Sequence, residues 1–275
     1  MTDRYAVVGN PVAHSKSPLI HAEFARQTGQ HIEYGLLLAP LDGFRATVEA
    51  FRRSGGKGLN VTLPFKPEAF ALADERSERA LAAEAVNTLK FEERGVFGDN
   101  TDGVGLVRDL QTNLAVPIAG KRVLLMGAGG AAQGVLHPLL ASSPAILVIG
   151  NRTLDRAQRL VERFRPPFPG RSLQASSYAA LGGQAFDLVI NATSASLSGG
   201  CPDLPAGAFA PGSVAYDMMY GQGLTPFLAL ARRQGAARVS DGIGMLVEQA
   251  AESFFIWRGV RPLAVPVIEK LRQAL

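Results

Sequence analysis

Short apolar runs alternate with amphipathic stretches through the first hundred residues. Tyr5–Gly9, Tyr34–Leu38 and Gly58–Leu63 have the length and apolar content of strands, while Pro18–Thr28 and Asp42–Arg53 repeat apolar positions at helical spacing. Val86–Phe91, a turn over Glu92–Gly95 and Val96–Asp99 predict a hairpin that closes this first unit. From Lys121 the pattern restarts, with strands expected at Arg122–Met126, Ala145–Ile149, Phe186–Ile190 and Ser213–Asp217 and helices between them. Proline and glycine density marks Pro166–Gly170 and Ser198–Pro211 as loops. Beyond Val239 two helical stretches, Ile243–Trp257 and Pro262–Ala274, have no strand to alternate with, which suits a return to the first unit. The predicted fold is a two-domain α/β architecture. Residues 1–102 with 242–275 form one domain, and 103–241 form an inserted Rossmann-like domain with a parallel sheet.

Composition narrows the class. With 47% hydrophobic residues in 275, the chain is expected to bury sizeable cores and not to be disordered. The net charge of +4 comes from scattered basic residues with no block of five, so nucleic acid is not an expected partner, whereas small anions suit the mild positive field. Cys201 is the single cysteine, so neither an intramolecular disulfide nor a thiol metal site is expected. The N-terminus lacks the apolar core of a signal peptide, and no apolar stretch approaches the roughly 18 residues of a membrane span. A cytoplasmic protein acting on a small molecule, as a monomer or homodimer and without a metal, is the expectation.

The chemistry-bearing segments sit at strand ends. Leu124-Leu125-Met126-Gly127-Ala128-Gly129-Gly130-Ala131-Ala132 puts glycines immediately after a strand and at the opening of a helix. Residues without a Cβ admit a pyrophosphate close to the backbone, and helix N-terminal amides bind its charge. The spacing departs from a plain G-x-G-x-x-G, and a tight strand-to-helix turn alone would also use such glycines. At the end of the next strand, Ile149-Gly150-Asn151-Arg152-Thr153 offers no acid for a ribose 2′-hydroxyl. Arg152, with Arg156 one helical turn on, fits a 2′-phosphate instead and favours NADP over NAD. Ser15 and Ser17 precede Pro18, so each is either an N-cap or half of a carboxylate clamp. Asn60 and Thr62 alternate on one strand face, where shared polarity suggests hydroxyl recognition. Lys66 lies just past that strand and, taken alone, reads as a solvated lysine.

In this order, Ser-Lys-Ser-Pro, Asn-Val-Thr-x-Pro-x-Lys, Ala-Val-Asn-Thr, Asn-Thr-Asp-Gly, Gly-Ala-Gly-Gly-Ala and Asn-Arg-Thr resemble the shikimate dehydrogenase family. Asn191-Ala192-Thr193-Ser194, Tyr216-Asp217-Met218-Met219-Tyr220 and Gly242-Ile243-Gly244-Met245 continue the match, with Met219 standing where other members often have an aromatic. The resemblance implies an N-terminal substrate domain completed by the C-terminal helices, and an NADP domain between. It implies reversible NADPH-dependent reduction of 3-dehydroshikimate to shikimate, in aromatic amino-acid biosynthesis. Lys66 and Asp102 correspond to the catalytic pair. Ser15, Ser17, Asn60, Thr62, Asn87, Tyr220 and Gln249 correspond to substrate contacts. Gly127, Ala128, Gly129, Gly130, Ala131, Asn151, Arg152, Thr153, Arg156, Met218 and Gly242 correspond to cofactor contacts. A quinate/shikimate dehydrogenase using NAD would place an acid near Asn151. A catalytically silent NADP-binding regulator would have lost the lysine and aspartate, and both are present.

Overall fold

The computed structural model describes residues 2–193, 195, 200 and 203–274; Ser194 and Cys201 fall outside these. The chain divides into two compact units, Met1–Gly105 with Leu246–Lys270, and Leu106–Met245 with Leu271–Leu275.

The first unit is built on a six-stranded sheet of β1 (Asp3–Gly9), β2 (Ile32–Leu38), β3 (Gly56–Val61), β4 (Glu75–Arg76), β5 (Thr88–Glu92) and β6 (Gly95–Asp99), in the order β2-β1-β3-β5-β6-β4. β1 runs parallel to β2 and β3, whereas β5 is antiparallel to both β3 and β6. That reversal has a functional result. The carboxyl end of β3, the amino end of β5 and the carboxyl end of β6 meet in register at Asn60, Thr88 and Asp99. Four helices, α1 (Ser17–Thr28), α2 (Phe44–Arg53), α3 (Lys66–Leu72) and α4 (Glu78–Ala83), connect the strands. In α1, Ser17, Ile20, His21 and Phe24 recur at helical spacing and are buried, so one face of the helix packs inward. Val8, Phe44, Leu59, Val61, Phe65 and Leu89 anchor the core. The chain returns to this unit late, where Trp257 stacks on Tyr5 at 4.6 Å and its indole N–H donates to the Leu89 carbonyl at 3.0 Å.

The second unit is a fully parallel sheet of β7 (Arg122–Met126), β8 (Ile146–Gly150), β9 (Leu173–Ser176), β10 (Phe186–Asn191), β11 (Phe209–Asp217) and β12 (Arg238–Ser240). Its order, β12-β11-β10-β7-β8-β9, grows outward in both directions from the β7/β10 pair. This is the doubly wound arrangement, in which a crevice opens beyond the carboxyl ends of the two central strands. The helices are α6 (Gly130–Ala141), α7 (Leu154–Phe164) and α8 (Pro226–Arg233); α5 (Asp102–Arg108) and α9 (Ile243–Arg258) span the boundaries between the units, and α10 (Val265–Gln273) ends the described chain. One loop expectation is corrected. Strand β11 begins at Phe209 rather than after Pro211, because Phe209 pairs with Phe186 and pairing resumes only at Leu188–Val214, which leaves Pro211 and Gly212 in a bulge.

Candidate active site

At the meeting point of β3, β5 and β6 the side chains form one hydrogen-bonded cluster. Lys66, the first residue of α3, lies with Nζ 2.5 Å from Asp102 Oδ2, and the two side chains are 26% and 16% exposed, enough to be reached by a small ligand. The other carboxylate oxygen, Asp102 Oδ1, accepts from Asn87 Nδ2 at 2.7 Å. The same amide donates to Thr101 Oγ1 at 2.9 Å, and its carbonyl accepts from the Thr101 backbone N–H and the Thr88 hydroxyl, both at 2.9 Å. Gln249, from α9, brings its Oε1 within 3.5 Å of Asn87 Nδ2 and Thr101 Oγ1. The structure therefore groups Lys66, Asn87, Asp102 and Gln249.

Asn60 lies behind this cluster, with its amide fully committed. Its Oδ1 accepts from the Tyr34 hydroxyl at 2.7 Å and pairs with His21 Nε2 at 3.2 Å, while Nδ2 donates to the Ser253 hydroxyl at 3.0 Å. Thr62 is half-buried just beyond β3. The N-cap reading of the serines is corrected in detail. Lys16 occupies the N-cap of α1 with no side-chain cap, and Ser15 Oγ instead accepts from the Ser17 backbone N–H at 3.2 Å and lies 3.1 Å from Ser17 Oγ. Beside Ser17, the half-buried Tyr34 has a phenol whose pKa desolvation drives well above its ordinary value. His21 and Tyr34 stack face to face at 4.2 Å. Burial lowers the His21 pKa to about 3, against which its hydrogen bond to Asn60 pulls weakly, and Nδ1 has no hydrogen-bond partner among the described residues.

In the second unit the cofactor candidates lie beyond the carboxyl ends of the parallel strands. Gly127 follows β7 with φ +105°, and a Cβ there would approach the Ala192 carbonyl to 3.2 Å, so its own backbone and the β10 loop require glycine. Gly129 and Gly130 differ: a Cβ on either would meet nothing within 4 Å. Their lack of a side chain leaves open space at the start of α6, whose N-cap Gly129 supplies no side-chain acceptor to the first-turn amides. Ala128 is half-buried and Ala131 exposed beside them. Beyond β8, Asn151 Nδ2 donates to the Thr153 carbonyl at 2.7 Å and fixes the turn that presents Arg152. Arg152 and Arg156 are exposed and form no ion pair among the described residues. A pocket of about 440 Å³ is lined by Ala128, Gln133, Arg156, Arg159, Leu160 and Arg163. Arg159 and Arg163 were not singled out from sequence, although their spacing of three and seven from Arg156 puts all three on one side of α7. Met218 and Gly242 also meet: a Cβ on Gly242 would lie 2.3 Å from the Met218 carbonyl oxygen. Tyr220 follows β11 in this unit, half-buried, its pKa raised by burial.

A parallel 3-2-1-4-5-6 sheet with an open glycine turn and exposed guanidiniums, in a chain that also carries a lysine–aspartate pair, defines a dinucleotide-dependent oxidoreductase of the two-domain α/β class. The sequence matches the family profiles described as "Shikimate dehydrogenase substrate binding domain" over residues 7–89, "Shikimate / quinate 5-dehydrogenase" over 109–198 and "Shikimate 5'-dehydrogenase C-terminal domain" over 242–272. The chain belongs to the shikimate dehydrogenase family. It is 61% identical to the shikimate dehydrogenase (NADP(+)) of Aromatoleum aromaticum, covering 99% of this chain and 98% of the relative. It is 63% identical to that of Nitrosospira multiformis, covering 100% and 99%. The crystal structure of shikimate 5-dehydrogenase from Thermus thermophilus in complex with NADP(H) and shikimate superposes with a TM-score of 0.87 at 33% identity, covering 100% of both chains. Among the described residues no helix is long and apolar enough to cross a membrane, and no group of His, Cys, Asp and Glu is placed to hold a metal.

Proposed function

We propose that the chain catalyses the reversible NADP-dependent reduction of 3-dehydroshikimate to shikimate, with Lys66 as proton donor and Asp102 as its partner. The observation that carries this reading is the 2.5 Å Lys66–Asp102 pair, whose second oxygen is held by Asn87 at 2.7 Å. NADPH, when bound, supplies the hydride to the carbonyl carbon. Lys66 donates a proton from Nζ to the carbonyl oxygen as it becomes an alkoxide, and in the reverse direction takes that proton back. Asp102 fixes the ammonium against the reacting oxygen and accepts from a ring hydroxyl with its remaining lone pairs. Ser15 and Ser17 hold the substrate carboxylate, and Thr62, Asn87, Gln249 and Tyr220 contact the ring, with Asn60 directly behind them.

The residues of the second unit fit NADP. Gly127, Ala128, Gly129, Gly130 and Ala131 leave room for a pyrophosphate at the amides of α6, and Asn151, Arg152, Thr153 and Arg156 receive the 2′-phosphate. Met218 and Gly242 border the cofactor at the ends of β11 and β12. The enzyme acts in the cytoplasm, in aromatic amino-acid biosynthesis, as a monomer or homodimer. Following cofactor reduction with shikimate and with quinate, each against NADP and NAD, tests the reading: activity is expected with shikimate and NADP. Turnover with neither substrate, or a preference for NAD, overturns it.

A further inference from the structure

Arg79, near the start of α4, is not part of any motif, yet it joins two segments that carry the candidate site. Its Nε and Nη2 donate to the two oxygens of Asp99, each at 2.7 Å, and Nη2 also donates to Glu252 Oε1 at 2.9 Å. Asp99 ends β6 and is 3% exposed. Its Oδ1 also accepts from the Asn100 backbone N–H at 2.7 Å and from the Ser77 hydroxyl at 2.5 Å, so the carboxylate sets the direction in which the chain leaves the sheet. The next two residues are Thr101, bonded to Asn87, and Asp102, paired with Lys66. Glu252 lies about one turn beyond Gln249 on α9. It immediately precedes Ser253, whose hydroxyl contacts Thr88 at 2.7 Å and Asn60 Nδ2 at 3.0 Å. Glu252 is buried, which opposes its charge, but hydrogen bonds from Arg261 and Arg79 outweigh this and hold its carboxyl below the ordinary range.

We propose that Arg79 is a positioning residue: by gripping Asp99 and Glu252 together, its guanidinium holds the Asn100–Thr101–Asp102 corner and the Gln249 turn of α9 in register. A planar fork is needed for this task, since one edge meets a carboxylate in bidentate fashion and the remaining N–H reaches a second. A lysine has one nitrogen and spans only one of them well. A site whose groups must stand within fractions of an ångström loses rate steeply when they drift, a displacement of about 1 Å costing on the order of 100-fold. The inference rests on the proposed shikimate activity.

The test compares Arg79→Ala, Arg79→Lys and Glu252→Gln with a purely structural control, Arg258→Ala. The control removes an ion pair to Asp3 farther along α9 that touches none of the clustered site residues. Steady-state constants for shikimate and NADP are measured alongside thermal melts. Arg79→Ala is expected to lower kcat/KM for shikimate roughly 10- to 100-fold with the NADP KM unchanged, and Arg79→Lys to recover part of that loss. Glu252→Gln, which keeps the Asp99 arm, should raise the shikimate KM more than it lowers kcat. Arg258→Ala should lower the Tm and leave both constants alone. If Arg79→Ala is folded and keeps kcat/KM within about threefold, or loses no more than Arg258→Ala, the role is overturned; if it does not fold, an unchanged shikimate KM in Glu252→Gln overturns it. Wild-type protein inactive on shikimate would remove the proposed function itself, an outcome distinct from either.

Discussion

Around Lys66 and Asp102 the polar side chains already have hydrogen-bond partners, whereas among the described residues the exposed guanidiniums of Arg152 and Arg156 in the second unit form no ion pair. The first region is wired in advance: Asn87 alone links Thr88, Thr101 and Asp102, and Asn60 ties Tyr34, His21 and Ser253 behind it. Its groups lose little freedom when substrate arrives, which suits chemistry that depends on placement. The glycine turn and α7 offer backbone amides and open positive charge, and a phosphate forms most of its contacts there only on binding. Damage to the first region should therefore appear in turnover, and damage to the second in cofactor affinity and selectivity.

The largest effect expected is at Lys66. Positioned acid–base groups contribute roughly 10²–10⁴-fold, so Lys66→Ala should lower kcat by about that range while NADP affinity and the circular dichroism spectrum stay as in wild type. Asp102→Asn should lower kcat and also raise the shikimate KM, because the same carboxylate meets the substrate ring. A folded Lys66→Ala enzyme with kcat within about threefold of wild type would take the proton-donor role away from this residue. It would also erase the contrast between the regions.

Arg152→Ala is the complementary measurement. A charge-assisted bond to phosphate is worth on the order of 1.5–3 kcal/mol, so NADP should bind about tenfold or more weakly, with NAD affinity and kcat nearly unchanged. Equal losses for both cofactors would mean that Arg152 does not read the 2′ position. Arg156→Ala, in the first turn of α7 just beyond Arg152, should follow the same pattern.

Legibility from sequence follows the same divide between local and distant causes. Strand β7 matches its expected bounds because Arg122–Met126 is apolar along a central strand covered on both faces. Strands β9 and β12 escaped because Leu-Gln-Ala-Ser and Arg-Val-Ser lie at the sheet edges and carry almost no apolar pattern. Helices α3 and α4 are seven and six residues long, too short for a periodic signal. The candidate site was legible where its residues cluster in short motifs, as at Asn100–Asp102. His21, Tyr34, Arg79 and Glu252 were not, because their partners lie far off in sequence; Arg79 and Glu252 are 173 residues apart.

His21 gives the prediction next in size. An unfolded histidine takes its proton near pH 6.5, but burial among Tyr34, Phe24 and Phe254 holds the folded group at about 3. Between those values the unfolded chain binds the extra proton, so its stabilising effect is complete above pH 6.5 and is lost as the pH falls toward 3. The slope reaches up to about 1.4 kcal/mol per pH unit. A protonated ring would also leave Nδ1–H facing no acceptor. Urea titrations between pH 6.5 and 5 should show this fall in wild type and a flatter dependence in His21→Gln; parallel curves would assign the acid sensitivity elsewhere.

The smallest effects separate the two serines. Ser15 Oγ accepts the Ser17 backbone N–H, an amide of the first turn of α1, whereas Ser17 Oγ accepts from the Ser15 hydroxyl and caps no helix amide among the described residues. Ser15→Ala should thus lose up to about 1 kcal/mol of stability, as when a side-chain acceptor is taken from a first-turn amide, in addition to raising the shikimate KM. Ser17→Ala deletes a hydroxyl 8% exposed at the residue level without freeing a helix amide, so its KM should rise with a smaller change in Tm. Thermal melts beside KM values for both variants decide the point. If Ser15→Ala melts lower with KM unchanged, Ser15 serves the helix alone and the carboxylate grip falls to Ser17.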